Sequence, residues 1–418
     1  MRHSFLIYSL NYSPELTGIG KYNGELAPAL ASHEIDAFVL TAPPYYPEWS
    51  ISKPYTNSYS AGRDEHGVTI YRCPLYVPAK VSTLKRLLHL SSFAITSAFR
   101  LFSLWRLKPD VLFLVQPTLF CAPFALLFCA LRGTKSILHI QDYEIDAMFG
   151  LGLGQSGFMK KAVKGIERWL MSKFDVVSSI SYSMLDNARK KGMPEEKLLF
   201  FPNWADTDFV HPDVDASALR KEWGFAEDDK VVLYSGNLGQ KQGLEIVIDA
   251  ALAFKDQPHV KFVIIGSGAY RDTLEQMALD KAINNIQFKA LQPWELVPQI
   301  LVMADVHLVV QKKGVADAVL PSKLTNILAA GGHALVTAEA DTELGKISAL
   351  YAGIYQLVEP ENSEAFIAGL TRLLASDTKA TNQLARHYAV ENINKDKVIK
   401  RFIQNLEQIT KSGSIQNG

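Results

Sequence analysis

Short apolar runs recur along the chain, separated by stretches of helical length whose apolar positions return every three or four residues. Residues 5–10, 37–40, 68–72, 111–115, 136–140 and 176–180 read as strands, and the series restarts with 231–235, 262–265, 286–288, 306–310 and 334–337. Near-continuous apolar strands alternating with helices describe parallel sheets covered on both faces. Two such series predict two doubly wound α/β domains. Pro202, Asn203, Asp206 and Asp208 mark a turn-rich boundary, placing one domain at 1–204 and the next from 205 onward. In open α/β sheets ligands sit at the carboxyl ends of the strands, so the expected site is a cleft between the domains.

Composition alters this picture in one respect. The 418 residues carry zero formal net charge, but residues 1–200 hold 22 Lys+Arg against 16 Asp+Glu, and the remainder 21 against 27. A basic first half points to an anionic phosphate or membrane surface rather than to nucleic acid. The basic positions concentrate in two stretches. Lys85, Arg86, His89, Arg100, Arg106 and Lys108 lie among Leu, Phe, Ile and Trp105; Lys160, Lys161, Lys164, Arg168 and Lys173 surround Trp169. Both read as amphipathic basic helices able to lie on an anionic membrane. The longest apolar stretch, 117–131, is too short to span a bilayer. The first residues lack signal-peptide character, and Cys73, Cys121 and Cys129 form neither metal spacing nor a disulfide framework. The expected compartment is the cytoplasm, peripheral to its membrane.

Five segments carry candidate chemistry. The first strand runs into Asn11-Tyr12-Ser13-Pro14-Glu15-Leu16-Thr17-Gly18-Ile19-Gly20-Lys21-Tyr22, where Gly18 and Gly20 open a helix and allow close backbone approach to a phosphate or sugar. The second domain begins alike: a strand leads into Gly236-Asn237-Leu238-Gly239-Gln240-Lys241-Gln242-Gly243, suited to a diphosphate through backbone donors, Asn237, Gln242 and the cation Lys241. Gly266-Ser267-Gly268 follows the next strand but lacks the third glycine of a dinucleotide fingerprint, Arg271 standing in its place. After strand 306–310, Pro321 and Ser322 start a helix that would aim its amide groups, Ser322 and Lys323 at a nucleotide diphosphate, with Asn326 one turn on for a ribose hydroxyl. In the first domain His139 ends an apolar strand followed by Gln141, Asp142, Glu144 and Asp146. Asp206-Thr207-Asp208 has the form of a metal-binding triplet but falls in the linker, where such residues make Asx turns; no metal is expected.

Asn11–Tyr22, Thr41-Ala42-Pro43-Pro44-Tyr45-Tyr46-Pro47-Glu48-Trp49, His139-Ile140-Gln141-Asp142-Tyr143-Glu144 and Leu320-Pro321-Ser322-Lys323-Leu324-Thr325-Asn326 together resemble the retaining family 4 glycosyltransferases, and within them the WcaI-type branch of colanic acid and exopolysaccharide synthesis. The resemblance covers nearly the whole chain. It implies the GT-B fold, two Rossmann-like domains facing each other across a cleft: an acceptor-binding domain at 1–204, a nucleotide-sugar domain at 205–395, and a closing helix and tail at 396–418 that return to the first. It implies a metal-independent transfer, without cofactor, from a GDP- or UDP-sugar, GDP-fucose being one such donor, to a saccharide linked to undecaprenyl diphosphate. Gly18 and Gly20 would line the donor phosphates, with Gly236, Asn237, Lys241, Gln242, Gly266, Pro321, Ser322 and Asn326 completing the donor site. His139, Asp142 and Lys323 would serve the chemistry, and Tyr45, Tyr46 and Trp49 would stack on the acceptor.

The chain departs from the wider family where an Arg and a Lys are usual at 237 and 242, and where two glutamates are usual at 318 and 326; here stand Asn237, Gln242, Ala318 and Asn326. Phosphate charge then falls chiefly to Lys323. The same fold would also serve a nucleotide-sugar 2-epimerase, which needs acid–base carboxylates near the donor, or a non-catalytic scaffold of polysaccharide assembly.

Overall fold

The computed structural model of the chain describes residues 3–15, 18–80, 82–117, 119–143, 157–314 and 321–412, without the side chains of Thr83, 157–160, Lys241 and Ser412. Two compact units result. One comprises Met1–Pro202 together with Ile399–Gly418, the other Asn203–Val398.

The described residues of the first unit form eight strands: β1 (Ser4–Tyr8), β2 (Asp36–Thr41), β3 (Ser60–Arg63), β4 (Thr69–Arg72), β5 (Val111–Val115), β6 (Lys135–Ile140), β7 (Val176–Ser179) and β8 (Leu198–Phe200). They run in the order β3-β4-β2-β1-β5-β6-β7-β8, parallel except for β3 against β4. The order reverses between β1 and β5, the topological switch point at which such sheets bind ligands. Every residue of β5 is buried, as a strand covered on both faces requires. The helix Lys395–Ser412 closes one face: Phe402 stacks on Phe201 at 4.0 Å and meets Phe113 and Phe5 at 5.6 and 6.0 Å.

The second unit holds β9 (Lys230–Ser235), β10 (Val260–Ile265), β11 (Ile286–Lys289), β12 (Val306–Val309), β13 (Ala334–Thr337) and β14 (Gln356–Val358), in the order β11-β10-β9-β12-β13-β14. Its switch point lies between β9 and β12. Alternate residues of β9 divide between two cores: Val232 and Tyr234 pack with the helix Glu245–Ala253, Val231 and Leu233 with Leu219, Trp223 and Phe225. Where the chain enters and leaves this unit, Ala205 bridges Asn394 in parallel; its amide donates to Ile393 O at 2.9 Å and its carbonyl accepts from Lys395 N at 3.0 Å.

Three strands absent from the apolar pattern, β3, β8 and β14, all lie at sheet edges. The four residues of β3 are all exposed. An edge strand is short and carries less of the burial that makes an interior strand readable.

Candidate active site

In the second unit the loops after β9 and β10 are bound backbone to backbone. Gly236 N donates to Ile265 O at 2.9 Å, Leu238 N to Ser267 O at 2.9 Å, and Tyr270 N to Leu238 O at 3.0 Å. The glycines make this approach possible. A Cβ on Gly266 would fall 1.9 Å from Gly236 O, and one on Gly268 2.3 Å from Leu238 O. Gly266-Ser267-Gly268 is therefore a backbone-to-backbone clasp, and Arg271 secures it by donating to Gly266 O and Lys289 O. Beyond the clasp Gly243 takes φ +68°, and the helix follows at Glu245, directly after the glycine segment.

Lys323 meets this loop from the helix Ser322–Ala329. Its Nζ stands 3.9 Å from the centre of the Tyr234 ring and 3.5 Å from where a Cβ on Gly236 would lie. Tyr234 Oη donates to Asn237 O at 2.9 Å, so the ring under the ammonium is fixed by the glycine loop itself. Lys323 is half-buried by surface area, yet protein crowds its ammonium, and desolvation pulls its pKa down to about 7. Pro321 occupies the cap position in extended conformation, and no side chain caps the helix; Ser322 is the first helical residue and exposed, so it does not cap as its type predicts. Three amide atoms nearby in the topology lack partners among the described residues: Gln242 Oε1 after β9, Gln311 Nε2 after β12, and Asn326 Oδ1 on the Lys323 helix. Each such atom costs about 1–3 kcal/mol unless a ligand or water satisfies it. Asn237 is exposed. The side chain of Lys241, and residues 315–320, lie outside the described residues.

In the first unit the loop after β1 is organised by Glu15, which the sequence reading passed over. Its buried carboxylate accepts from Asn11 Nδ2 at 2.8 Å and from Tyr45 N and Tyr46 N, both at 3.0 Å. Burial raises its pKa against the pull of those hydrogen bonds. Gly20 is required by this carboxylate: a Cβ there would lie 2.6 Å from Glu15 Cβ. Gly18, at φ +54°, opens the helix Gly18–Ser32, and a Cβ there would meet no described atom within 4 Å.

The aromatic trio separates. Tyr45 is buried; its hydroxyl lies 3.1 Å from His89 Nε2, and its ring meets His89 and Trp49 at 4.8 and 5.6 Å. It supports the loop and has no face left for an acceptor sugar, which corrects its expected stacking role. Tyr46 is exposed and Trp49 half-buried. Trp49 has φ +53°, an uncommon backbone for a bulky residue, held here by its ring contacts with Tyr45 and His89.

His139 lies in the core on the face of Phe113, stacked at 5.0 Å. Nδ1 is 2.9 Å from Ser178 Oγ, and Nε2 is 3.0 Å from Gln141 Nε2. With Gln141 donating to Nε2, Nδ1 carries the proton, and burial lowers the pKa to about 3. His139 is thus a neutral hydrogen-bonding group with both nitrogens engaged, not a titrating acid–base residue. Asp142 follows β6, half-buried; Glu144 and Asp146 lie outside the described residues. Sequence reasoning also missed Tyr234, Gln311 and Lys312, whose side chain packs against Gly243. The available signal was the amide Gln311, directly after the apolar run Leu308–Val310.

A cavity of about 410 Å³ opens at the amino ends of β1 and β5, lined among others by His33, Asp110 and Glu407. It lies at the opposite end of the sheet from the switch-point loops and takes no part in this site.

Two family models match in tandem: "Glycosyl transferase 4-like domain" over residues 17–204 and "Glycosyl transferases group 1" over 215–396. WcaI of Escherichia coli K12, whose name assigns it to colanic acid biosynthesis as a glycosyl transferase, is 48% identical over 96% of this chain and 99% of its own. This chain belongs to the GT4-like glycosyltransferases. Among solved structures it resembles sucrose-phosphate synthase of Thermosynechococcus elongatus (TM-score 0.75, 14% identity, 98% of this chain and 99% of that one). It also resembles HepE of Anabaena in complex with UDP and glucose (TM-score 0.69, 14% identity, 97% and 100%). At such identities the likeness is one of fold: two Rossmann-like α/β domains of the GT-B type. The enzyme transfers a glycosyl group, and no helix among its described residues is long and apolar enough to cross a membrane.

Proposed function

We propose that this glycosyltransferase carries a sugar from a nucleotide-sugar donor to a lipid-linked saccharide in colanic acid or related exopolysaccharide synthesis, at the inner face of the cytoplasmic membrane. The observation that carries the reading is the second unit's switch point. There a desolvated ammonium, Lys323, stands against a glycine loop, and three amides await partners. That combination suits a nucleoside diphosphate: charge for the diphosphate, amides for the ribose and phosphate oxygens. The donor carried into this proposal is GDP-fucose, on the resemblance to the WcaI-type branch alone.

The transfer is proposed to retain configuration without a metal. The bond from the anomeric carbon to the diphosphate oxygen breaks. The bond to the acceptor oxygen forms on the same face, and the acceptor proton passes to the departing diphosphate. The protein's part is to hold the diphosphate and stabilise its growing charge, the work of Lys323 and the helix amides. His139, through the Gln141 side chain it holds, and Asp142 would position groups near the sugar, while Tyr46 and Trp49 would border the acceptor.

The first test is a thermal-shift panel of GDP, UDP, ADP and dTDP. A ligand at 100 times its Kd stabilises by about 2.7 kcal/mol. A selective GDP shift supports the reading; a selective UDP shift replaces the donor; no shift with any of them overturns it in favour of a scaffold. Turnover unchanged by EDTA is the expected result for metal independence.

A further inference from the structure

We infer that one face of the first unit, formed by the helices Thr83–Ser103, Ala122–Arg132 and Gly157–Lys173, inserts shallowly into an anionic lipid bilayer. The inference rests on the lipid-linked acceptor proposed above and adds the surface that meets the lipid. The three helices pack side by side. More than half of the exposed large apolar side chains among the described residues lie on them or, as Trp105 and Phe120 do, next to their ends.

Their placement is ordered. Leu84, Leu88, Ile95 and Phe99 are spaced four, seven and four residues apart, a single stripe along the first helix. Leu84 is 68% and Phe99 71% exposed, too open for residues that support the core. Leu127 and Leu131, four apart, continue the patch on the second helix, and Ile166 and Trp169, three apart, on the third. Lone exposed apolar residues mean little, but a contiguous patch marks an interaction surface.

Charge identifies the partner. The three helices contain one carboxylate, Glu167, which is buried and paired with Lys191 at 2.6 Å. Beside the apolar patch stand the exposed bases Lys85, Lys161, Arg168 and Lys173. Arg132 lies over the Trp105 ring at 4.9 Å and Lys173 over Trp169 at 5.6 Å, tryptophan and base paired as at a headgroup boundary. A second copy of this face would bring bases against bases. An anionic bilayer satisfies both components, its headgroups the cations and its acyl boundary the stripe.

The test is co-sedimentation with vesicles of phosphatidylglycerol and phosphatidylcholine, against phosphatidylcholine alone. The wild-type enzyme is compared with Leu84→Ser/Phe99→Ser/Trp169→Ser and with Lys85→Glu/Lys161→Glu. These side chains are exposed, so the fold is expected to survive, checked by an unchanged melting temperature. Wild type should bind only the anionic vesicles. The apolar variant should lose at least about tenfold in partitioning, including at high salt, since burying one such side chain carries about that factor. The charge variant should lose binding most at low salt. Equal partitioning of wild type and the apolar variant overturns the inference. So does a wild-type dimer that ignores vesicles and that the apolar variant dissociates. Nucleotide-sugar turnover on a soluble acceptor, measured in parallel, separates the two proposals: vesicle binding without turnover defeats the enzymatic reading alone, and turnover without vesicle binding defeats this one alone.

Discussion

The loops after β1 and β9 hold equivalent places in their sheets. Each follows the strand at the switch point and leads through glycines toward a helix. They differ in where their polar groups go. After β1, side chains knit the loop: Glu15 accepts three hydrogen bonds, Asn23 Nδ2 reaches Ser9 Oγ at 2.9 Å, and Arg72 reaches Ser13 O at 2.7 Å. After β9, backbone binds backbone, and Gln242 Oε1 stays without a partner among the described residues, as do Gln311 Nε2 after β12 and Asn326 Oδ1 on the Lys323 helix beside it. The first loop is satisfied by itself and works as a support; the second is completed only by what it binds. The β9 loop also faces Lys323, whereas the β1 loop is built around a carboxylate.

The largest break in this comparison should come from Lys323. Lys323→Ala is expected to lower kcat/KM by about 100-fold or more, the scale for removing a charge-stabilising donor, and to weaken nucleoside diphosphate binding. Full activity would remove it from the mechanism. The pH dependence carries a sign. The free ammonium titrates near 7, and a bound diphosphate favours its protonated form, so affinity should fall as pH rises through 7. Between the folded pKa and the higher unfolded one the unfolded chain holds the extra proton, so the ligand-free enzyme should gain stability with pH above about 7. Both slopes should vanish in Lys323→Met, as read by calorimetry and urea unfolding.

Next in size is Gly266→Ala. Its methyl cannot coexist with Gly236 O, and the clasp must open. Stability should fall by about 1–3 kcal/mol along with nucleotide affinity; an unchanged melting temperature would refute the clasp. Glu15→Gln sharpens the other side. It should cost about 1–3 kcal/mol in urea unfolding and raise the acceptor KM with the nucleotide Kd unaltered; a matching loss of nucleotide affinity would dissolve the distinction between the loops. Smallest is Tyr46→Ala, expected to raise the acceptor KM about two- to tenfold, and no change would exclude the ring from acceptor contact.

The interior strands were legible because burial on both faces leaves uninterrupted apolar runs such as Val111–Val115, and both glycine loops stood out by composition. The reason for each glycine was not legible. Gly20 answers to Glu15, and Gly266 to a carbonyl thirty residues earlier, contacts that only the folded chain creates. Tyr45 and Tyr46 are adjacent in sequence and look alike; packing sends one inward to His89 and the other to solvent. Lys323 was singled out for its place at a helix start, but its lowered pKa depends on Tyr234 and the crowding around it, which no local pattern encodes.

The helix Lys395–Ser412 sets an order on the molecule's making. The aromatic cluster of the first unit, Phe5, Phe113 and Phe201, is completed by Phe402, just over two hundred residues after the last of these. On a ribosome the first unit is therefore synthesised long before the residue that seals it. The second must emerge in between, so the nascent first unit waits with an open aromatic face that chaperones can hold. A premature stop near residue 395 would leave that face uncovered for good, making the far end of the message a checkpoint on the fold of its beginning.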